Sequence, residues 1–200
     1  MPLPRFERLP VERREHILGV ARRHFAEHGA EGASYNKIIE AAGVSKTAAY
    51  HYFDGREDLL TAVLDGVLGR LLAALGPWQP ARDARDFADR FAAGSAALGA
   101  HLGTHPDDLA LADAAVGRTG GEPWLGWFGA LVTDGRRLGL IRTEVDHGLM
   151  VAATAAVVRA ADGWALARMR AGVEPPEDGG QLWVLLCGLW GGEGVAADAG

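Results

Sequence analysis

Lys46, Thr47, Ala48, Tyr50, His51 and Tyr52 fall within one short stretch of the chain. Together they offer a cation, hydroxyls, an imidazole and a small methyl-bearing side chain. These are the groups that meet phosphate oxygens and base edges. A lysine can donate to guanine O6 and N7. A threonine can bond a base edge or, like an alanine, pack on a thymine methyl. Tyrosine hydroxyls suit phosphates. This is binding chemistry rather than bond-breaking chemistry. No H-E-x-x-H, G-x-S-x-G or C-x-x-C occurs in the chain. Ser45-Lys46-Thr47 is like the end of a P-loop, but the upstream glycine and the preceding strand are missing. The chain is therefore expected to have no catalytic residues, no cofactor and no metal.

Such side chains work only on an element that presents them together. Ile38, Ala42, Val44, Ala49 and Phe53 recur at helical spacing and can form a small core. Gly43 stands where a tight turn needs positive φ. Ser45 follows at the N-cap position, where its hydroxyl can take an orphan N–H of the next helix. Residues 32–60 thus read as two short helices joined by a glycine turn, with a third helix starting just after. The pattern implies a DNA-reading unit. The competing reading is a plain solvated three-helix unit used for protein contact.

The order of these residues resembles the helix-turn-helix domain of TetR-type transcriptional regulators. The resemblance rests on Phe25, Gly29 and Ser34, on Ala42-Gly43-Val44-Ser45, on Tyr50 to Phe53, and on Arg56-Glu57-Asp58-Leu59. It covers roughly residues 11–70. Thr47, Ile39 and Arg56 depart from the family pattern, which has a small residue, Ala and Lys there. The run GLIRTEVD at 139–146 is similar to the loop between the family's seventh and eighth helices and extends the resemblance more weakly over the body. The resemblance implies an all-α fold. A helix-turn-helix domain over 11–71, with its motif at 34–53, would be followed by a helical effector-binding and dimerisation domain over 72–200. It also implies a homodimeric repressor on a palindromic double-stranded operator, released by a small-molecule ligand. The expected DNA-binding residues are Ser34, Tyr35, Ser45, Lys46, Thr47, Ala48, Tyr50, His51, Tyr52 and Arg56.

Charge is distributed consistently with that division. The chain of 200 residues carries a net charge of −6. Residues 1–60 hold nine basic and nine acidic residues, against eleven and seventeen in the remainder. The acidic excess lies outside the reading segment. Both lysines, Lys37 and Lys46, and all three tyrosines lie within it, while all six tryptophans lie beyond it. Weak overall attraction for phosphates implies that affinity needs two copies and good local placement.

The remaining chain reads as helices. Residues 1–9 are expected to form a flexible arm, with minor-groove contact as the lesser alternative. Pro10 can open a helix carrying Ile17, Ala21 and Phe25, with Gly29 as its stop. Asp54 can cap a long helix that ends at Gly76-Pro77. Helical segments follow at roughly 83–102, 107–117, 122–139, 146–171 and 179–192. The last two are rich in small and apolar residues, Ala152 to Ala160 and then Leu182, Leu185, Leu186 and Leu189. The resemblance implies that these two helices pair with their mates in a second subunit.

Trp124, Trp127 and Phe128, with Trp164 on a later helix, are candidates to line a cavity for an apolar or aromatic effector. The competing reading is ordinary core. His24 with His28 and His101 with His105 have the spacing of a shared zinc site, but the sequence reveals no third ligand. Cys187 has no second thiol to pair with. No apolar run reaches the ~20 residues that span a bilayer. The expectation is a soluble cytoplasmic protein with no membrane partner.

Overall fold

The computed structural model describes residues 2–118, 122–171 and 180–191. The described chain is helical throughout and has no strand, only an isolated bridge between Ile141 and Gly191. In order the helices are α1 (Pro4–Glu7), α2 (Val11–Gly32), α3 (Tyr35–Ala41), α4 (Lys46–Ala49) and α5 (Arg56–Leu75). They continue with α6 (Ala84–Thr104), α7 (Pro106–Arg118), α8 (Glu122–Arg137), α9 (His147–Arg170) and α10 (Gly180–Trp190). Two compact units result. The first takes residues up to Ala73 together with Gly99–Gly121, and the second takes Ala74–Leu98 with the chain from Glu122 onward.

The first unit is built on the inward stripe of α2. Ile17, Val20, Ala21 and Phe25 are buried there, at spacings that put them on one helix face. α2 packs against α3 and α7, and Ile38 and Ile39 of α3, Ala49 of α4 and the apolar face of α5 from Leu59 to Leu71 are buried in the same unit. Helical geometry breaks at Gly29, whose φ is +76°, and one further turn follows before α3. The stop expected at Gly29 is thus a kink. Asp58 holds the start of α5, its Oδ2 accepting the Asp54 N–H at 3.1 Å.

One buried charge lies at the centre of this unit. Asp108, near the start of α7, has no solvent exposure. Arg70 of α5 grips both its oxygens, Nε at 2.8 Å and Nη2 at 2.7 Å. His101 Nε2 of α6 lies 3.0 Å from Oδ2, and Arg22 of α2 approaches Oδ1 at 3.8 Å. A bidentate guanidinium is the strongest partner available to a buried carboxylate. His101 also stacks on His105, with ring centroids 4.1 Å apart. The pair considered as a zinc site is therefore engaged elsewhere. Among the described residues no three His, Cys, Asp or Glu are placed to hold a metal.

The second unit packs aromatic side chains between α6, α8, α9 and α10. Phe87 touches Trp78, Trp183 and Trp190, and Trp183 also touches Phe91. Asp134 of α8 pins the preceding segment, accepting the Ala81 N–H at 2.7 Å and the Trp78 Nε1–H at 3.1 Å. Gly135 is required by packing. A Cβ there would lie 2.5 Å from Ile141 Cδ1, far inside contact distance. Arg142 closes the end of α10, giving its backbone N–H and its Nε–H to the Trp190 carbonyl at 3.0 and 2.9 Å. Trp190 Nε1 in turn donates to the buried Thr154 hydroxyl at 3.1 Å.

Of the apolar residues at the chain end, Leu186 belongs to this core. Val184 and Leu185 of α10 and Leu149 of α9 face outward.

Asp108 makes the first unit acid-sensitive. Burial raises its pKa, but the hydrogen bonds from Arg70 and His101 and the charges of Arg70 and Arg22 outweigh burial, leaving it below the ordinary 3.8. A depressed carboxyl contributes stability that is present above 3.8 and lost as pH falls through its folded value. Asp108→Asn should cost roughly 2–4 kcal/mol near neutral pH, below the full cost of a broken buried pair because water reaches part of Arg70. Denaturant titrations across pH measure this, and the gap between the two proteins should close in acid. An equal gap at all pH values would show that the charge contributes nothing.

Candidate nucleic-acid interface

The turn between α3 and α4 is set by three local features. Gly43 adopts φ +62°, where a Cβ would be strained. Ser45 takes extended geometry and its Oγ accepts the Ala48 N–H at 3.2 Å. Arg13 of α2 reaches across to the Gly43 carbonyl, donating from Nη2 at 2.7 Å. α4 itself is short, but helical hydrogen bonding continues beyond it, with Tyr50 N–H to the Lys46 carbonyl and Phe53 N–H to the Ala49 carbonyl. Phe53 is buried and anchors that end.

This arrangement sorts the ten expected DNA-binding residues. Lys46, Thr47, Tyr50 and His51 are exposed on one short segment, Tyr50 at 67%. Ser45 is exposed beside them and Ala48 is half-buried. Ser34 marks the start of α3 without using its hydroxyl as a cap, so that hydroxyl is not committed to the helix.

The other three are tied into the fold. Tyr35 Oη lies 3.4 Å from the Ala49 carbonyl. Burial, and beside it the Asp58 carboxylate, push its pKa up, which keeps the hydroxyl a neutral donor. Tyr52 is half-buried, with its ring edge-on to Phe6 at 6.0 Å. Arg56 donates from Nε to the Ala33 carbonyl at 3.0 Å, pairs with Glu57, and lies 5.8 Å over the Phe25 ring. It fixes the chain just before α3.

Sequence reasoning missed two supports. One is Arg13, which no local sequence pattern singles out and which reaches the Gly43 carbonyl 30 positions away. The other is the N-terminal segment. The flexible arm expected over residues 1–9 is instead docked. Leu3 N–H bonds the Tyr52 carbonyl at 2.9 Å, and Phe6 is buried against Phe53 with centroids 4.7 Å apart. The signal was Phe6, a large aromatic residue set between Arg5 and Glu7 with Leu3 and Leu9 close by in sequence.

The candidate ligand residues divide too. Trp127 and Trp124 both lie against Phe128, at 5.1 and 5.7 Å, and Trp127 also meets Trp78 at 5.5 Å. Trp127 Nε1 donates to the Gly76 carbonyl at 2.9 Å. The buried Trp124 Nε1–H has no acceptor among the described residues. Trp164 is half-exposed on α9 and is covered by the Arg168 guanidinium rather than by the other rings. Two clefts of about 350 and 290 Å³ lie in the first unit along α2 and α5, and neither includes any of these four residues.

Comparison with known proteins places this geometry. Residues 17–63 match the family model described as bacterial regulatory proteins, tetR family. An HTH-type transcriptional repressor AcnR from Corynebacterium efficiens is 48% identical over 54 residues, covering 27% of this chain and 29% of that protein. The HTH-type transcriptional repressor KstR2 from Rhodococcus jostii is 36% identical over 59 residues, 30% of this chain and 29% of that one. These matches span less than a third of the relatives' length. The fold likeness extends further. A TetR family transcriptional regulator from Pseudomonas syringae superposes with a TM-score of 0.62 at 22% identity, over 91% of this chain and 96% of that one. The fatty acid degradation regulator FadR from Bacillus halodurans does so with a TM-score of 0.60 at 16% identity, over 88% and 95%. The segment from Lys46 to His51 lies in the region matched by the tetR family model, and the helical fold of the chain is that of these regulators.

Proposed function

We propose that this protein is a sequence-specific DNA-binding transcriptional repressor that acts in the cytoplasm as a homodimer and is released from a palindromic operator by a small apolar or aromatic molecule. Residues 11–71 form its DNA-binding domain and residues 72–200 its effector-binding and dimerisation domain. The observation that carries the reading is the exposed row Lys46, Thr47, Tyr50 and His51 on a segment held by Gly43, Ser45 and Phe53. In helix-turn-helix docking the start of the reading helix enters the major groove. Lys46 and Thr47 stand there and meet base edges, with Ala48 against a thymine methyl. Tyr50, Ser45 and Ser34 contact phosphates. Tyr35, Tyr52 and Arg56 act from behind by fixing the backbone of the reading segment.

Dimerisation is supported by composition and exposure. Val184 and Leu185 are 68% and 58% exposed on α10, and Leu149 is 62% exposed on α9. Large apolar residues grouped on neighbouring helices mark an interaction surface, and a second copy offers the same surface in return. Two reading segments about 34–36 Å apart then meet successive major grooves. An effector that binds better to another spacing must weaken DNA binding, and DNA must weaken effector binding by the same factor. The relatives named as transcriptional repressors support the sign of regulation. No described helix is long and apolar enough to cross a membrane.

We assign the effector site to Trp124, Trp127 and Phe128. The buried Trp124 donor without an acceptor favours it, because an unmade buried hydrogen bond costs about 1–3 kcal/mol. A ligand with an apolar body and one acceptor atom relieves that cost. Trp164, outside the ring cluster, flanks the site at most.

Three measurements test these assignments. Lys46→Ala and Tyr50→Phe should each weaken operator binding while leaving thermal unfolding unchanged, Lys46→Ala by about 1–3 kcal/mol if it reads a base. Operator affinity equal to wild type in both, at matched salt, would remove the reading face. Leu185→Arg should shift the protein from dimer to monomer in sedimentation. A wild-type chain that is monomeric at micromolar concentration sinks the two-half-site arrangement. Trp127→Ala should weaken binding of any DNA-releasing ligand by roughly tenfold or more and abolish its tryptophan fluorescence change. A ligand that releases DNA and binds this variant normally places the pocket elsewhere.

A further inference from the structure

The docked N-terminal turn carries charge as well as a buried ring. Phe6 is its buried residue, and Pro4, Arg5 and Arg8 are exposed. Arg5 and Arg8 are three apart on one face, away from the side that carries Phe6. The acidic residue between them, Glu7, is committed to Arg14 at 2.8 Å. No acidic side chain pairs with Arg5 or Arg8 among the described residues. Both are therefore available cations, and their place is fixed.

That place is beside the reading segment. Leu3 N–H is bonded to the Tyr52 carbonyl at 2.9 Å. Arg5 follows two residues later, at most ~7 Å of chain away. The Phe6 ring against Tyr52 and Phe53 holds the turn in that position. A reading helix seated in a major groove ~12 Å wide has a phosphate strand on each flank. A turn bonded to the trailing end of that helix lies over one of those strands. Guanidinium groups suit that position, since they bind phosphate bidentately and remain charged.

We propose that α1 is a phosphate clamp, in which Arg5 and Arg8 grip the DNA backbone flanking the groove read by Lys46 and Thr47. The proposal rests on the DNA-binding reading above and adds a contact outside the helix-turn-helix. It also supplies positive charge that an otherwise acidic chain lacks. The contact is with backbone oxygens. It fixes register and adds affinity without choosing sequence.

The test uses the full-length protein and an operator selected by the wild type from random duplexes. Affinity is measured over a range of salt for wild type, Arg5→Gln/Arg8→Gln, Arg5→Lys/Arg8→Lys and Lys46→Ala, on that operator and on a scrambled duplex. Both arginines are exposed, so all variants should melt like wild type. The expected result for the glutamine pair is a shallower dependence of log K on log salt, by about 0.9 for each phosphate no longer gripped, or about 1.8 per half-site. Affinity should fall by the same factor on both duplexes, and the lysine pair should keep most of the slope. Three results would overturn the clamp. One is a wild-type slope in the glutamine pair while Lys46→Ala still weakens binding, which leaves the reading face standing. Another is a loss confined to the operator, which would mean base reading by the arm. The third is no DNA binding by wild type, which removes the reading face as well.

Discussion

A carboxylate cut off from water must be paired or hydrogen-bonded, and Asp108 meets that requirement by drawing on three helices. Arg70 from α5, His101 from α6 and Arg22 from α2 all converge on it. Burying one charge is costly, so the geometry of its partners is tightly constrained. The consequence for the first unit is direct. α2 packs against α3, which packs against α4, and Arg56 ties the start of α5 to the chain just before α3. A shift of α2 or α5 away from Asp108 would leave a buried charge uncompensated. The cluster therefore sets the platform that presents the reading segment, although none of its residues belongs to that segment.

The reading segment is short and depends on supports from elsewhere. α4 has four residues, too few to be stable alone. It is held at its start by the Gly43 turn, the Ser45 cap and the Arg13 bond to the Gly43 carbonyl. At its far end Phe53 is buried and the N-terminal turn bonds the Tyr52 carbonyl. Rigidity at both ends matters for binding. A segment that is already ordered loses little conformational freedom on meeting a groove. Arg56 and Tyr35 serve the same end from within, by tying α5 to the chain before α3 and α3 to α4.

The second unit uses a different material. Its interior is a continuous chain of ring contacts from Trp124 through Phe128, Trp127, Trp78 and Phe87 to Trp190 and Trp183. Large rings leave irregular gaps, and their polar edges need partners. Trp78, Trp127 and Trp190 find Asp134, the Gly76 carbonyl and Thr154. Trp124 finds none among the described residues. One unmet donor at the end of this aromatic chain is a reason to look for a ligand there rather than on the outer surface, where Trp164 sits.

The sequence by itself determined the helices and the reading motif. Helical periodicity, the glycine at 43 and the serine at 45 are local signals, because turns, caps and amphipathic faces are specified within a few residues. The body helices were legible for the same reason. Tertiary structure alone decided which side chains are free. Arg56 reads in sequence as a phosphate contact, and only folding shows that its Nε also holds the Ala33 carbonyl. Leu186 looked like one of an apolar row until α10 turned it into the core and left Val184 and Leu185 outside. Phe6 looked like part of a loose arm until it met Phe53. Asp108 was one acidic residue among many, and only folding brought Arg22, Arg70 and His101 to it across 86, 38 and 7 positions of chain. Long-range partners of this kind leave no periodic trace in sequence. Their energies depend on distance and burial, and both arise only when separate helices pack.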